Sequence, residues 1–378
     1  MAELLWYFRF FLDYFASKRY NGIKFVIDLT KTAFVAADIG GYSMKYQVIQ
    51  HQHIFQPEAQ FKQCHASTIA FLPDGSAGIA WFGGEHEKAA DVAIWFSKSD
   101  GRGGWTTPVC IADCEGIPCW NPVLFVDNQR VVLFYKVGQE IPRWQTMVKE
   151  SFDSGLTWTE ERELVPGDFG GRGPVKNKCI RLSDGAILAP SSTEEGSWDC
   201  FTDRSEDGGL TWTRSENVPI ELNIPGGNNT ELRRGIIQPT LWEDDDHIVH
   251  MLMRSSEGCI FRSDSADGGR SWSAAQPTEL PNNNCGIDLV RMENGRLVLV
   301  YNPVSGNWAA RTPIVFAVSD DNGKTWGQPN ILDHLPCEYN EERAEFSYPA
   351  IVAKGNDVFI SYTWKRQTVA FWQIRILD

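Results

Sequence analysis

The chain has 378 residues and a formal net charge of −14, with 15 Trp, 21 Phe and 33 Gly. No apolar run approaches the length of a membrane span, and the acidic balance argues against nucleic acid as a partner and shows no basic patch for a membrane surface. An acidic sugar stays open as a substrate, because a local cluster of Arg and Lys can dominate a single pocket.

In chain order, Met1 to Tyr20 is rich in aromatics but is interrupted by Glu3, Arg9, Asp13, Lys18 and Arg19. It lacks the basic start, continuous apolar stretch and small-residue cleavage site of a secretory signal, so residues 1–40 read as an extension of unclear role and the expected location is cytoplasmic. Nine Cys are scattered without a CxxC pair, and the one close group, Cys110, Cys114 and Cys119, has no histidine near it in sequence. Buried free thiols are expected, with no metal and no cofactor.

From about Lys45 onward the chain repeats. Each unit runs through an apolar stretch, a tight turn, a second apolar stretch and a third that ends in a short motif. The first unit reads His65 to Leu72, turn Pro73-Asp-Gly75, Gly78 to Phe82 and Val92 to Phe96. The second has Asn121 to Phe125 and Val131 to Tyr135, and the third Asn177 to Leu182 and Ala186 to Pro190. The fourth has Ile236 to Trp242, Ile248 to Met253 and Gly258 to Arg262. The fifth has Gly286 to Met292, Leu297 to Tyr301 and Pro313 to Val318, and the sixth Ser347 to Ala353, Val358 to Tyr362 and Val369 to Ile376.

The closing motif is Ser-x-Asp-x-Gly-x-Thr-Trp. It appears at Ser151–Trp158, Ser205–Trp212 and Ser319–Trp326, with Ser for Thr at Ser265–Trp272 and in degraded form at Ser99–Trp105. Asp and Ser can bond backbone groups a few residues on, Gly accepts φ > 0, and Trp covers the layer beneath. The tryptophans step by 53, 54, 60 and 54 residues, which signals a repeat architecture. Short antiparallel strands with DG and NG turns suit an all-β, six-bladed β-propeller over residues 45–378. Lys45 to Phe55 is expected to supply the outer strand that the sixth blade lacks; a seventh blade from the N-terminal segment is the alternative.

The motif resembles the Asp-box, or bacterial neuraminidase repeat, of the sialidase superfamily. The resemblance implies boxes in outer hairpins away from the active site, with a structural role only.

In a propeller the first strand's start and the second strand's end share one mouth of the central funnel. Strand-1 entrances supply His65, Trp120 with Asn121, Lys176 with Lys178, Arg234 with Gln238, Asn284 with Asp288, and Tyr348. Strand-2 exits supply His86, Tyr135 with Lys136, Glu194, Arg254, Tyr301 with Asn302, and Trp364 with Arg366; Arg311 precedes a third strand. A cationic and aromatic set in an acidic chain points to an anionic substrate, with Trp120 and Trp364 able to stack on a sugar ring. His247 and His250 lie within a strand and receive no role.

Exo-sialidases carry an Arg-Ile-Pro motif at the first strand-1 entrance, one of three arginines on the substrate carboxylate, together with a Tyr–Glu nucleophile pair and an acid Asp. Here the matching stretch is Cys64-His65-Ala66-Ser67, while Phe346-Ser-Tyr348-Pro-Ala resembles the nucleophile segment and Arg234, Arg254 and Arg311 are candidate arginines. Gly84-Glu-His86-Glu, with Asp91 beyond it, stands in the region of the acid. The stretches Cys-His-Ala-Ser-Thr, Trp-Phe-Gly-Gly-x-His-Glu, Cys-Trp-Asn-Pro and Leu-Pro-Asn-Asn-Asn-Cys-Gly-Ile-Asp resemble a "sialidase-like" group that includes lyases removing rhamnose from glucuronate.

Three readings follow, each with an acidic oligo- or polysaccharide as partner. The first is a uronate lyase, with His65 and His86 as base and acid, Tyr135 assisting, and Asn121, Lys178, Arg234, Arg254, Asn284, Tyr301, Arg311, Tyr348 and Trp364 binding substrate. The second is an exo-α-sialidase with Tyr348 as nucleophile. The third is a non-catalytic glycan-binding propeller.

Overall fold

A computed structural model describes residues 45–57, 60–222, 234–335 and 345–377. These residues form six four-stranded antiparallel sheets, the blades of a propeller. Blade one is β2 (Gln63–Phe71), β3 (Ala77–Gly84), β4 (Ala93–Lys98) and β5 (Val109–Ala112), preceded in the chain by β1 (Tyr46–His53). Blade two is β6 (Cys119–Asp127), β7 (Arg130–Val137), β8 (Gln145–Ser151) and β9 (Arg162–Glu163); blade three is β10 (Ile180–Arg181), β11 (Ile187–Thr193), β12 (Asp199–Ser205) and β13 (Thr213–Arg214). Blade four is β14 (Ile236–Glu243), β15 (Val249–Ser255), β16 (Cys259–Ser265) and β17 (Gln276–Pro281). Blade five is β18 (Asp288–Arg291), β19 (Leu297–Tyr301), β20 (Ile314–Ser319) and β21 (Asn330–Asp333).

Blade six joins β22 (Phe346–Lys354), β23 (Asp357–Trp364) and β24 (Thr368–Ile376) to β1 in the order β1-β24-β23-β22. Tyr46 lies opposite Ile376 and His53 opposite Ala370, so backbone hydrogen bonds between the two ends of the chain close the ring. The expected latch is therefore present. The extension over residues 1–40 lies outside the described residues, and the described part has six blades.

Apolar side chains interlock between neighbouring blades; Phe96 of blade one, for example, shares a buried cluster with Trp120 and Tyr135 of blade two. The boxes sit between third and fourth strands, as the motif implied. In Ser205–Trp212 the Asp207 carboxylate accepts from the backbone N–H of Leu210 (3.0 Å) and Thr211 (2.9 Å), and Ser205 Oγ accepts from Gly209 N–H at 2.8 Å. These bonds hold the Asp207 carboxyl below the usual carboxylate range, the Thr211 hydroxyl contributing most. Asp153, Asp267 and Asp321 repeat the pattern. Among the described residues the eight cysteines are unpaired, and no helix is long and apolar enough to cross a membrane.

One feature of the inner strands positions the site. In blades one, two, four and six the register slips near the strand's start, between His65/Thr68, Trp120/Val123, Ile237/Thr240 and Ser347/Ala350. Each bulge holds one non-glycine residue at positive φ: Ala66 (54°), Asn121 (40°), Gln238 (52°) and Tyr348 (52°). Lys176 (71°) takes the same conformation just before β10. Such backbone costs about 1–3 kcal/mol per residue, and bulges of this kind re-aim side chains beside active sites. In blade five a Cβ added to Gly286 would lie 3.0 Å from Lys176 Cε and 3.4 Å from Tyr348 Cγ. Blades three, five and six therefore meet closely there, and a side chain at Gly286 would crowd Tyr348.

Candidate functional site

Tyr348 is the centre of the site. Its hydroxyl accepts a 2.7 Å hydrogen bond from Arg254 Nη1, and the Gln238 amide lies 3.5 Å away. The Arg254 and Arg311 guanidiniums stand 5.6 and 5.7 Å from the Tyr348 ring centroid. The His65 ring lies 4.1 Å from it, and His65 Nδ1 is 2.9 Å from Thr363 Oγ1. Bulges in β2, β14 and β22 thus gather groups separated by almost the whole chain.

The charges are unevenly paired. Glu345 accepts from Arg311 Nη1 (2.5 Å), Arg366 Nε (2.8 Å) and Ser347 Oγ (2.6 Å), and Arg366 also bonds Glu87 at 2.8 Å. Burial opposes ionisation of Glu345, but the neighbouring His65 and the Arg311 and Arg366 guanidiniums prevail and hold its carboxyl well below the usual range. Arg254 differs. It is 2% exposed, and its bonds go to neutral groups: Asn284 Oδ1 (2.9 Å), Gln238 Oε1 (2.8 Å) and the Tyr348 hydroxyl. Among the described residues no carboxylate pairs with it. A buried guanidinium with neutral partners is a costly arrangement that an anionic ligand relieves.

Burial, then the positive charge of Arg366, pushes the His65 imidazole well below its ordinary 6.5, with Glu345 at 3.8 Å opposing. The imidazole is therefore neutral near neutral pH and able to accept a proton. Lys176 lies under Tyr348, donating to the carbonyls of Ile287 (2.7 Å) and Pro349; burial lowers it to about 7.

Of the expected site residues, His65, Arg254, Asn284, Arg311 and Tyr348 come together, and Asn121 sits at the corresponding bulge of blade two. The others are placed elsewhere. His86 is exposed on the loop after β3, and its ring makes no hydrogen bond or ion pair among the described residues. Tyr135 donates its hydroxyl to Glu161 and lies in the core between blades one and two, burial pushing its phenol well above the ordinary value. Lys178 is spent on Asp288, with both carboxylate oxygens at 2.9 Å. Arg234 is held by Glu257 through both Nε and Nη2. Tyr301 is packed with Trp242 and Leu252 between blades four and five, burial raising it to about 12. Trp364 follows Thr363, so strand alternation turns it away from His65 and toward Phe346 and His53. Trp120, the other candidate stacking ring, is 1% exposed and donates to Gly138.

Two residues escaped the sequence reading. Glu345 lies just before the strand entrance that reading began at Ser347. Trp308, on the loop before β20, is 62% exposed with φ 58° and stands 5.8 Å from the Arg254 guanidinium, edge-on at 6.2 Å to the buried Trp198, which lies 5.9 Å from the same guanidinium. Its signal was a tryptophan outside any box, in the turn-like stretch Ser305-Gly-Asn-Trp308.

Residues 75–360 match the family described as BNR repeat-like domain. No curated protein matches the sequence. Among solved structures, a protein of unknown function from Dyadobacter fermentans DSM 18053 superposes with a TM-score of 0.67 at 14% identity, over 88% of this chain and 99% of that one. The Hadza microbial sialidase Hz136 superposes with a TM-score of 0.69 at 15% identity, over 87% and 69%. The intramolecular trans-sialidase from Ruminococcus gnavus does so at 0.64 and 14%, over 85% and 97%. At these identities the likeness is one of fold. The chain belongs to the BNR repeat-like domain family, its repeats built into a six-bladed propeller of sialidase-like fold.

Proposed function

We propose that the protein cleaves a terminal acidic sugar from a glycan, with the sugar's carboxylate on Arg254 and Arg311 and Tyr348 at the reacting carbon. The observation that carries this reading is Arg254: buried, without a carboxylate partner among the described residues, and bonded to the Tyr348 hydroxyl. A preorganised guanidinium in a water-poor site stabilises charge that develops beside it. Similarity to sialidases and a trans-sialidase favours hydrolysis or transfer at the anomeric carbon, with Tyr348 as nucleophile.

A second reading is favoured by Gln238. A Tyr–Glu pair needs a carboxylate at the tyrosine, and the side chain 3.5 Å from the Tyr348 hydroxyl is a neutral amide. Next to it stands the neutral imidazole of His65, suited to remove the C5 proton of a uronate while the C4–O4 bond breaks and a C4=C5 double bond forms. His86 and Tyr135 have no part in this version, and Tyr348 is the group placed to protonate the leaving oxygen.

One assay separates the readings. Sialosides and uronate-terminated oligosaccharides are incubated with the protein, and products are followed by mass and ultraviolet absorbance. Release of a saturated acidic sugar supports hydrolysis, and an absorbing unsaturated uronate supports elimination. Binding without any product in either series would leave a non-catalytic glycan-binding propeller.

A further inference from the structure

The box hairpins of blades two to five share a contact outside the motif. A cation from the preceding blade donates to the carbonyl of the fourth box residue. Lys98 reaches Ser154 at 3.2 Å, Arg130 reaches Gly208 at 2.6 Å, Arg204 reaches Gly268 at 3.0 Å, and Arg262 reaches Asn322 at 3.0 Å. Each cation plugs the seam between its own blade and the next. Over the box of blade three the remaining cavity is about 10 Å³, with Arg130 filling it and pairing Asp127 and Glu150.

The first box breaks the pattern. It is one residue shorter, Ser99 to Trp105, and its Gly103 carbonyl accepts from a neutral amide, Gln50 Nε2 at 2.9 Å, on the closing strand β1. The seam between blades six and one therefore stays open, as a cleft of about 320 Å³. That volume lies at the lower end of small-ligand pockets, about 300–1,000 Å³. Its walls carry the half-buried rings of Trp105 and Phe359, with the buried Phe371 behind Trp105, and the amides of Gln52, Gln50 and Gln373. The last two donate their Nε2 groups to Gly103 and Asp357 and keep their carbonyl oxygens free among the described residues.

We propose that this cleft is a second, non-catalytic binding site for a neutral sugar unit. Aromatic faces take the C–H side of a pyranose ring, and carboxamides offer both donors and acceptors to hydroxyls that need both. The lining sets three neutral carboxamides against a single cation, Lys354, which is exposed and stands 5.6 Å over the Phe71 ring, a balance that favours a neutral sugar over a carboxylate. Phe71 ends the strand on which His65 lies near the start, six residues earlier, which separates the cleft from the central site by about 20 Å at strand rise. A glycan held here does not occupy the central funnel, so the inference stands whether or not the reading of Tyr348 is correct.

The test is saturation-transfer NMR and calorimetric titration of the full chain with lactose, cellobiose, maltose and mannobiose. The wild type and Tyr348→Phe are expected to bind at least one of them equally. Trp105→Ala and Gln52→Leu are expected to weaken that binding tenfold or more. Gln52 makes no side-chain hydrogen bond among the described residues, so Gln52→Leu decides the matter if Trp105→Ala does not fold. The inference is overturned if no disaccharide binds the wild type, or if binding survives Gln52→Leu undiminished; loss in Tyr348→Phe would then assign the sugar to the central funnel.

Discussion

Arg254 donates a 2.7 Å hydrogen bond to the hydroxyl of Tyr348, a residue 94 positions later in the chain. The bond joins the exit of β15 to the bulge of β22 and places a buried positive charge on the oxygen proposed to react. Tyr348→Phe keeps the ring against His65 and removes only that oxygen. Turnover should fall by about 10²–10⁴-fold, with the melting temperature little changed. Steady-state kinetics on whichever acidic glycan reacts, beside a thermal melt, checks this; retained turnover would move the reacting group elsewhere.

The two arginines should separate in their effects. Arg254→Ala removes a preorganised charged donor and should lower kcat/KM by about 10²–10³-fold, with little loss of fold because its partners are neutral. Arg311→Ala should weaken substrate binding and also lower the melting temperature, because Glu345 then keeps only Arg366 against its buried charge. Equal melting temperatures for the two variants would contradict this division.

For His65 the pH dependence has a definite sign. The folded protein holds the imidazole neutral through burial and the charge of Arg366, whereas in the unfolded chain it takes a proton as pH falls through about 6.5. The unfolded state then binds more protons, so stability falls from about pH 6.5 downward toward the folded pKa and is level above it. His65→Gln should flatten that slope in melts recorded across the range. Activity that needs neutral His65 should persist below pH 6.5, in contrast to an exposed histidine.

Trp308→Ala should raise KM with kcat near the wild-type value, since an exposed ring beside Arg254 acts on binding rather than on the bond that breaks. A loss of about 1 kcal/mol, roughly fivefold, is expected. An unchanged KM would show that the sugar does not reach this rim.

Trp272→Ala tests the boxes. The ring is 9% exposed and its indole donates to Thr202 Oγ1 of the preceding blade at 3.0 Å. Removing it should cost about 3–5 kcal/mol of stability while leaving kcat alone at temperatures where the variant is folded. Lost activity at an unchanged melting temperature would put the boxes on the functional face.

The repeat was legible in the sequence because its chemistry is local. Asp207 bonds groups three and four residues away, so Ser-x-Asp-x-Gly-x-Thr-Trp specifies its own turn without help from the rest of the chain. The blade count and the closing strand followed from that periodicity. His65, Arg254, Asn284, Arg311 and Tyr348 could be found by position at strand ends. Which cations remain open to a ligand was a different matter. Lys178 is neutralised by Asp288, 110 residues on, and Arg234 by Glu257, 23 residues on, whereas Arg254 donates only to two side-chain amides and a phenol. Trp364 and Tyr301 occupy plausible strand ends, yet the face each presents is set by the pleat and by the blade packed against it. Turn geometry is decided within about four residues, but the pairing of a charge is decided by whatever the closed ring brings against it, and that only the tertiary structure determines.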